Sequence, residues 1–259
     1  MDWIAKSILF FLIGGLAQLI DGTLGMGYGV TTSSILISIG ITPSIVSASV
    51  HTSEIFASFT SGVSHFRFGN VSRNILTPLT VFGIIGGVIG AFGLVSLPLK
   101  PVRIIVGIIL GNMGILILIR FALNRNRDKV LLFYRYPNKL FLSFLGFAAA
   151  FIDAMGGGGW GPICTPSLVI SGTEPRKAVG SANLAEFFVT ISITITFIIL
   201  IGYENFRWDI VILLVLSGIL IAPFAAYLSK KIPHHILGIL VGIGIFLLSL
   251  RIVLTSVLK

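Results

Sequence analysis

The sequence predicts an all-α polytopic membrane protein made of two inverted repeats, each with a glycine-broken helical hairpin plus three long transmembrane helices. Three observations carry that prediction. Of 259 residues, 55% are hydrophobic and only 10% charged, against roughly 25% charged in a soluble domain. The apolar residues fall in runs of about 20, the length that crosses a bilayer core, and mean hydropathy is +1.05. The chain also repeats itself. A shift of 132 residues lays IDGTLGMGYGVTTSSILISIGITPSIVSASVHTSEIF, starting at Ile20, over IDAMGGGGWGPICTPSLVISGTEPRKAVGSANLAEFF, starting at Ile152, without a gap. Asp21 pairs with Asp153, Gly27 with Gly159, Gly29 with Gly161, Pro43 with Pro175 and Glu54 with Glu186. Further on, a shift of 135 pairs Asn70 with Asn205, Gly83 with Gly218 and Pro98 with Pro233.

The first repeat occupies residues 1–123, a basic linker 124–139 and the second repeat 140–259. In each repeat an apolar stretch (4–20, and 140–152) runs into a glycine-rich break, then an apolar piece of about ten residues (30–40, and 162–171). Three longer stretches follow, at 43–65, 75–95 and 101–120, and at 175–201, 209–228 and 234–256. The piece after each break is too short to span alone. Either it completes a discontinuous helix, giving parallel repeats of four crossings, or it folds back, giving inverted repeats of three.

Charge bias selects between these. Net charge is +9, which in a soluble chain would suggest nucleic acid, but the basic residues sit between apolar runs and topology accounts for them. No nucleic-acid partner is expected. The densest cluster, Arg120, Arg125, Arg127, Lys129, Arg135 and Lys139, separates the halves and belongs in the cytoplasm. The folded-back arrangement puts Arg67, Arg73, Arg176, Lys177, Lys230 and Lys231 on that same side, whereas four crossings export two of these pairs, against the positive-inside tendency. The first 20 residues lack an A-x-A cleavage site and read as part of the mature protein,. Cys164 is the single cysteine, and no CxxC or Cys/His grouping suggests a metal. No cofactor is implied, and with no nucleophile or metal-ligand cluster beside the embedded carboxylates an enzyme is not expected.

The breaks DGTLGMGYG and DAMGGGGWGP are the most informative segments. Irregular backbone at membrane depth persists only where protein or a watery cavity satisfies it. A helix starting there aims free N–H groups and a positive dipole end into that cavity, and Pro162 suits a first helical position. Two such starts facing each other make an anion site needing no buried cation, and no Arg or Lys is expected near either break. The substrate-binding candidates are therefore Gly27, Gly29, Thr31, His51, Gly159, Gly161, Thr165 and Asn183. Isolated glycines such as Gly83, Gly86, Gly87 and Gly90 instead suit close helix packing. The hydroxyls after each break either donate to an oxyanion or bond back to their own helix.

On the next helix Ser47, His51, Glu54, Ser58, Ser61 and His65 form one polar stripe, and Asn183, Glu186 and Thr190 repeat it. Carboxylates in apolar spans are costly and mark ion paths or proton relays. Glu54 and Glu186 either carry protons or brace the broken backbone; Asp21 and Asp153 either hold protons or cap a helix start. Tyr28 and Trp160, at one repeat position inside the breaks, are gate candidates.

The paired blocks, with HTSEIF, NLAEFFVT and FRFGNV, resemble the TauE/SafE family of sulfite exporters over nearly the whole chain. The resemblance implies a multi-pass permease of the cell inner membrane, exporting sulfite or a related small organosulfur anion. By alternating access, that anion passes through a midplane site between the repeats. An uptake permease or channel for another small oxyanion is the alternative, and the resemblance leaves room for a homo-oligomer.

Overall fold

The computed structural model describes residues 3–24, 26–123, 137–228, 231 and 233–258. Most of the expected basic linker, Gly25 of the first break, and Lys230 lie outside the described residues. Those described form ten α-helices and no strand: α1 (Trp3–Leu24), α2 (Tyr28–Ser38), α3 (Pro43–Arg67), α4 (Arg73–Ser96), α5 (Leu99–Leu123), α6 (Lys139–Gly156), α7 (Trp160–Ile170), α8 (Pro175–Ile201), α9 (Trp208–Leu228) and α10 (His234–Val257).

Helix boundaries follow local chemistry, and they match between the halves. Pro43 and Pro175 open α3 and α8, where the missing N–H costs nothing. Gly40 and Gly172, at φ 102° and 97°, turn each short helix into its successor, a conformation that side chains resist. Asn138 starts α6 by accepting the Phe141 N–H at 2.7 Å,.

Seven of the described helices are long and apolar enough to cross a membrane: α1, α4, α5, α6, α8, α9 and α10. With 25 residues, α3 has the length, and its polar stripe is what separates it from that group. The 11-residue helices α2 and α7 reach roughly 16 Å each, about half of a bilayer core.

Glycines set how the long helices pair. Gly86 and Gly90 of α4 lie on the backbone of Phe147 and Phe151 of α6, and Gly146 returns the contact at Leu79. A methyl group at Gly90 would stand 2.6 Å from the Phe151 carbonyl oxygen, so close approach demands the small residue. Because residue numbers rise together along both helices, α4 and α6 run parallel. So do α1 and α9, through Gly14 on Leu214 and Gly22 on Ala225. The pairs α5 with α10 and α3 with α8 run antiparallel, Gly62 meeting Leu184 in the latter. Exchanging the halves turns the α4–α6 pair into α9–α1 and returns the other two onto themselves, so the fold carries the sequence repeat as a twofold relation.

The ends of these helices are tied. Lys177 Nζ donates to the Gly69 carbonyl at 2.6 Å and the Ser72 N–H donates to Ser181 Oγ at 2.9 Å. The first turns of α8 therefore dock on the α3–α4 turn. At the start of α5, Arg103 donates to the Gly40 carbonyl at 3.3 Å.

Candidate functional site

The two breaks are built by the same device. Asp21 Oδ1 accepts the Tyr28 N–H at 3.3 Å, and Asp153 Oδ1 accepts the Trp160 N–H at 3.1 Å. In each case a carboxylate seven residues upstream caps the first residue of the short helix, the capping alternative that the sequence leaves open. The backbone carbonyl of Asp153 also accepts the Gly157 and Gly158 N–H groups, at 2.7 and 3.2 Å. Gly27 at φ 112° and Gly157 at φ 70° make the reversals. Helix α7 starts at Trp160 rather than Pro162; proline is accommodated at the third position for the same reason, since that N–H also lacks a partner within the helix. The ladder resumes at Thr31 N–H to the Gly27 carbonyl and Ile163 N–H to the Gly159 carbonyl, at 3.0 and 3.1 Å. This leaves the N–H groups of Gly29, Val30 and Gly161 at the helix starts outside the helical ladder.

The breaks also pack on each other. A methyl group at Gly158 would lie 2.8 Å from Gly29 Cα, and one at Gly29 would lie 2.9 Å from both Glu54 Oε1 and the Gly157 carbonyl oxygen. Ser33 Oγ donates to the Gly157 carbonyl, and Ser47 Oγ donates to the Ala154 carbonyl at 2.7 Å. His51 lies behind this contact, with Nε2 at 3.0 Å from Asp153 Oδ2 and Nδ1 at 2.8 Å from the Ser47 carbonyl oxygen. The Ser47 carbonyl can only accept, so Nδ1 carries a proton. The other ring nitrogen, Nε2, is the one turned to the Asp153 carboxylate in this buried contact.

A cavity of about 340 Å³ opens below the breaks. Its walls are the two helix starts, Gln18 and Gly22 of α1, the stripe from Glu54 through Ser58 and Ser61 to His65 on α3, and Val179, Asn183 and Glu186 of α8. It extends from the breaks toward the end of the bundle where α8 docks on the α3–α4 turn. Of the residues expected from sequence, Gly27, Gly29, Gly159, Gly161, Thr165, Asn183, Asp21, Asp153, Glu54, Glu186, Tyr28 and Trp160 line it. Thr31 and His51 do not: both are buried beside it, and Thr31 Oγ1 has no hydrogen-bond partner among the described residues. Asn183, the repeat counterpart of His51, faces the cavity and donates to Ser61 Oγ at 2.7 Å. The substitution between repeats thus accompanies two different placements.

The gate candidates are tethered. Tyr28 Oη lies 3.2 Å from Ser53 Oγ and donates to the Leu214 carbonyl at 3.5 Å, while Trp160 Nε1 donates to the Ala182 carbonyl at 3.1 Å. Arg120 corrects the expectation that no basic residue approaches a break. Its Nη1 stands 3.2 Å from Sδ of Met26. In sequence Arg120 reads as one more charge of the linker, and nothing there signals the reach back from the last turn of α5. The described residues hold no group of three or more His, Cys, Asp or Glu that could bind a metal.

A helical membrane protein in which two interrupted helices meet over a polar cavity has the architecture of a membrane transporter. Comparison with known proteins agrees: the model of the family described as "Sulfite exporter TauE/SafE" matches residues 10–252, and the chain belongs to that family. It is 42% identical over 253 residues to the "Probable membrane transporter protein YtnM" of Bacillus subtilis (strain 168), covering 95% of this chain and 82% of that protein. No solved structure matches.

Proposed function

We propose that this membrane transporter exports a small oxyanion, sulfite before other organosulfur anions, by alternating access across the plasma membrane. The observation that carries the proposal is the convergence of the N-termini of α2 and α7 on one cavity, with the N–H groups of Gly29, Val30 and Gly161 outside the helical ladder. Such helix starts suit an anion.

The chain is read as a first repeat (1–123), a linker (124–139) and a second repeat (140–259), related by inversion. Two tethers support inversion. Gly146 near the start of α6 meets α4 at Leu79, and the first turns of α8 meet the turn just before α4. The α6–α7 unit therefore begins and ends at one side of the bundle, as a re-entrant hairpin does. The cavity extends toward this side, where Arg67, Arg73, Arg176 and Lys177 gather, so the positive-inside tendency makes it cytoplasmic.

Four carboxylates beside an anion require neutralisation. His51 pairs with Asp153 at 3.0 Å, and Asp21 faces the positive end of α2,. No hydrogen bond among the described residues ends on the side chain of Glu54 or Glu186, and both line the cavity. These two are the proton carriers in this reading, taking up protons as the anion binds. Flux of labelled sulfite in proteoliposomes, competed with sulfate, thiosulfate and organosulfonates, tests the substrate. Absence of sulfite flux, with labelled sulfate or thiosulfate carried instead, would reassign it.

A further inference from the structure

We infer that Arg120 supplies the positive charge that draws an oxyanion to the first break, with Met26 as the movable partition between its guanidinium and the cavity. This inference deepens the anion proposal above and rests on it. Met26 is 3% exposed and lines the cavity, and Arg120 Nη1 lies 3.2 Å from its sulfur. Arg120 comes from the last turn of α5, on the linker side of the bundle. Its side chain is half-buried and its guanidinium also rests over the Phe121 ring, 5.7 Å from the centroid.

A guanidinium has five N–H donors in a fixed fork, and a thioether is a weak acceptor for one of them. Among the described residues no carboxylate engages Arg120. Methionine is unbranched, with three rotatable bonds, so a change of its rotamer uncovers the fork toward the cavity. Both members of the pair belong to the first repeat alone. Gly158 stands where Met26 would recur, and a shift of 135 residues puts Thr255 in place of Arg120, with Thr255 Oγ1 spent on the Arg251 carbonyl. On the second break, Gly161 instead packs against Met26, with 3.5 Å from a methyl group there to Met26 Cβ. Met26 thus touches the starts of both short helices and the one described cation that approaches them.

The test is electrostatic and needs no transport. In a Cys164→Ser background, the Met26→Cys variant is modified in membrane vesicles by two methanethiosulfonates, one bearing a sulfonate and one a quaternary ammonium. The ratio of their rates reports the local potential at residue 26 and cancels differences in thiol reactivity. Replacing Arg120 by Gln should lower the sulfonate-to-ammonium ratio by roughly tenfold, as expected for one charge about 7 Å away acting on two probes of opposite sign through water. Arg120→Lys should keep most of the ratio. If the Gln variant does not insert, Arg120→Met, an apolar residue a membrane helix accepts, carries the same prediction. A ratio unchanged in the neutral variant, a Lys variant that falls as far as Gln, or no reaction of the Met26→Cys thiol with Arg120 present would each overturn the inference. A failure to carry sulfite would leave this ratio untouched, so the two proposals fail separately.

Discussion

The repeat holds two aspartates and two glutamates, and the structure divides their labour. Asp153 accepts the Trp160 N–H and meets His51, both buried, with side chains 3% and 0% exposed. Among the described residues Asp21 makes only the cap on Tyr28, at 3.3 Å. Asp153→Ala should therefore destabilise the protein by about 3 kcal/mol, since it strands a buried partner as well as a cap. Asp21→Ala should cost about 1 kcal/mol, the loss of a cap. Thermal unfolding in detergent orders the two. Glycines separate in the same way. Gly158 abuts the Gly29 backbone at φ 157°, so Gly158→Ala should lower thermal stability by about 1–3 kcal/mol. Gly161 has room for a methyl, 3.5 Å from Met26 Cβ. Gly161→Ala should melt like the parent and bind sulfite at least several-fold more weakly. The cap and the position of both breaks are legible in the sequence because Asp, break and short helix recur at fixed spacing. The placement of His51 is not: spacing assigns a residue to a helix face, but which neighbour covers that face is settled by packing between helices.

At the scale of elements, the repeat makes boundaries readable. The expected apolar pieces at 30–40 and 162–171 are α2 at 28–38 and α7 at 160–170, each starting two residues earlier because the upstream aspartate captures the first N–H. The polar stripe on α3 is equally legible, and five of its neighbours in space, Gln18, Gly22, Val179, Asn183 and Glu186, close the cavity around it. Arg120 is hidden in the sequence because a charge near a helix end suits topology, and its reach toward Met26 depends on where α5 stands. The proposed re-entrant hairpin makes a concrete prediction. With Cys164 replaced by Ser, single cysteines at Asn126 in the linker and at Glu174 between α7 and α8 should react with an impermeant reagent from the same, cytoplasmic face. Reaction from opposite faces would mean that α6 and α7 complete one crossing.

For the whole molecule, the electrical balance decides what coupling can do. Outward movement of an anion is favoured by about 2.3 kcal/mol per charge per 100 mV, so export can proceed without a partner ion. Protons carried by Glu54 and Glu186 would instead tie flux to the pH gradient. The Glu54→Gln, Glu186→Gln double variant should exchange sulfite across vesicles while losing its response to an imposed pH gradient. An unaltered response would make both side chains braces for the breaks. In the proposed cycle α2 and α7 together present an anion site to one side of the membrane at a time. Counterflow tests it most directly: proteoliposomes loaded with unlabelled sulfite should transiently accumulate labelled sulfite above equilibrium, and Gly161→Ala should reduce that accumulation. Sulfite flux without any overshoot, or an overshoot unchanged by Gly161→Ala, would contradict it.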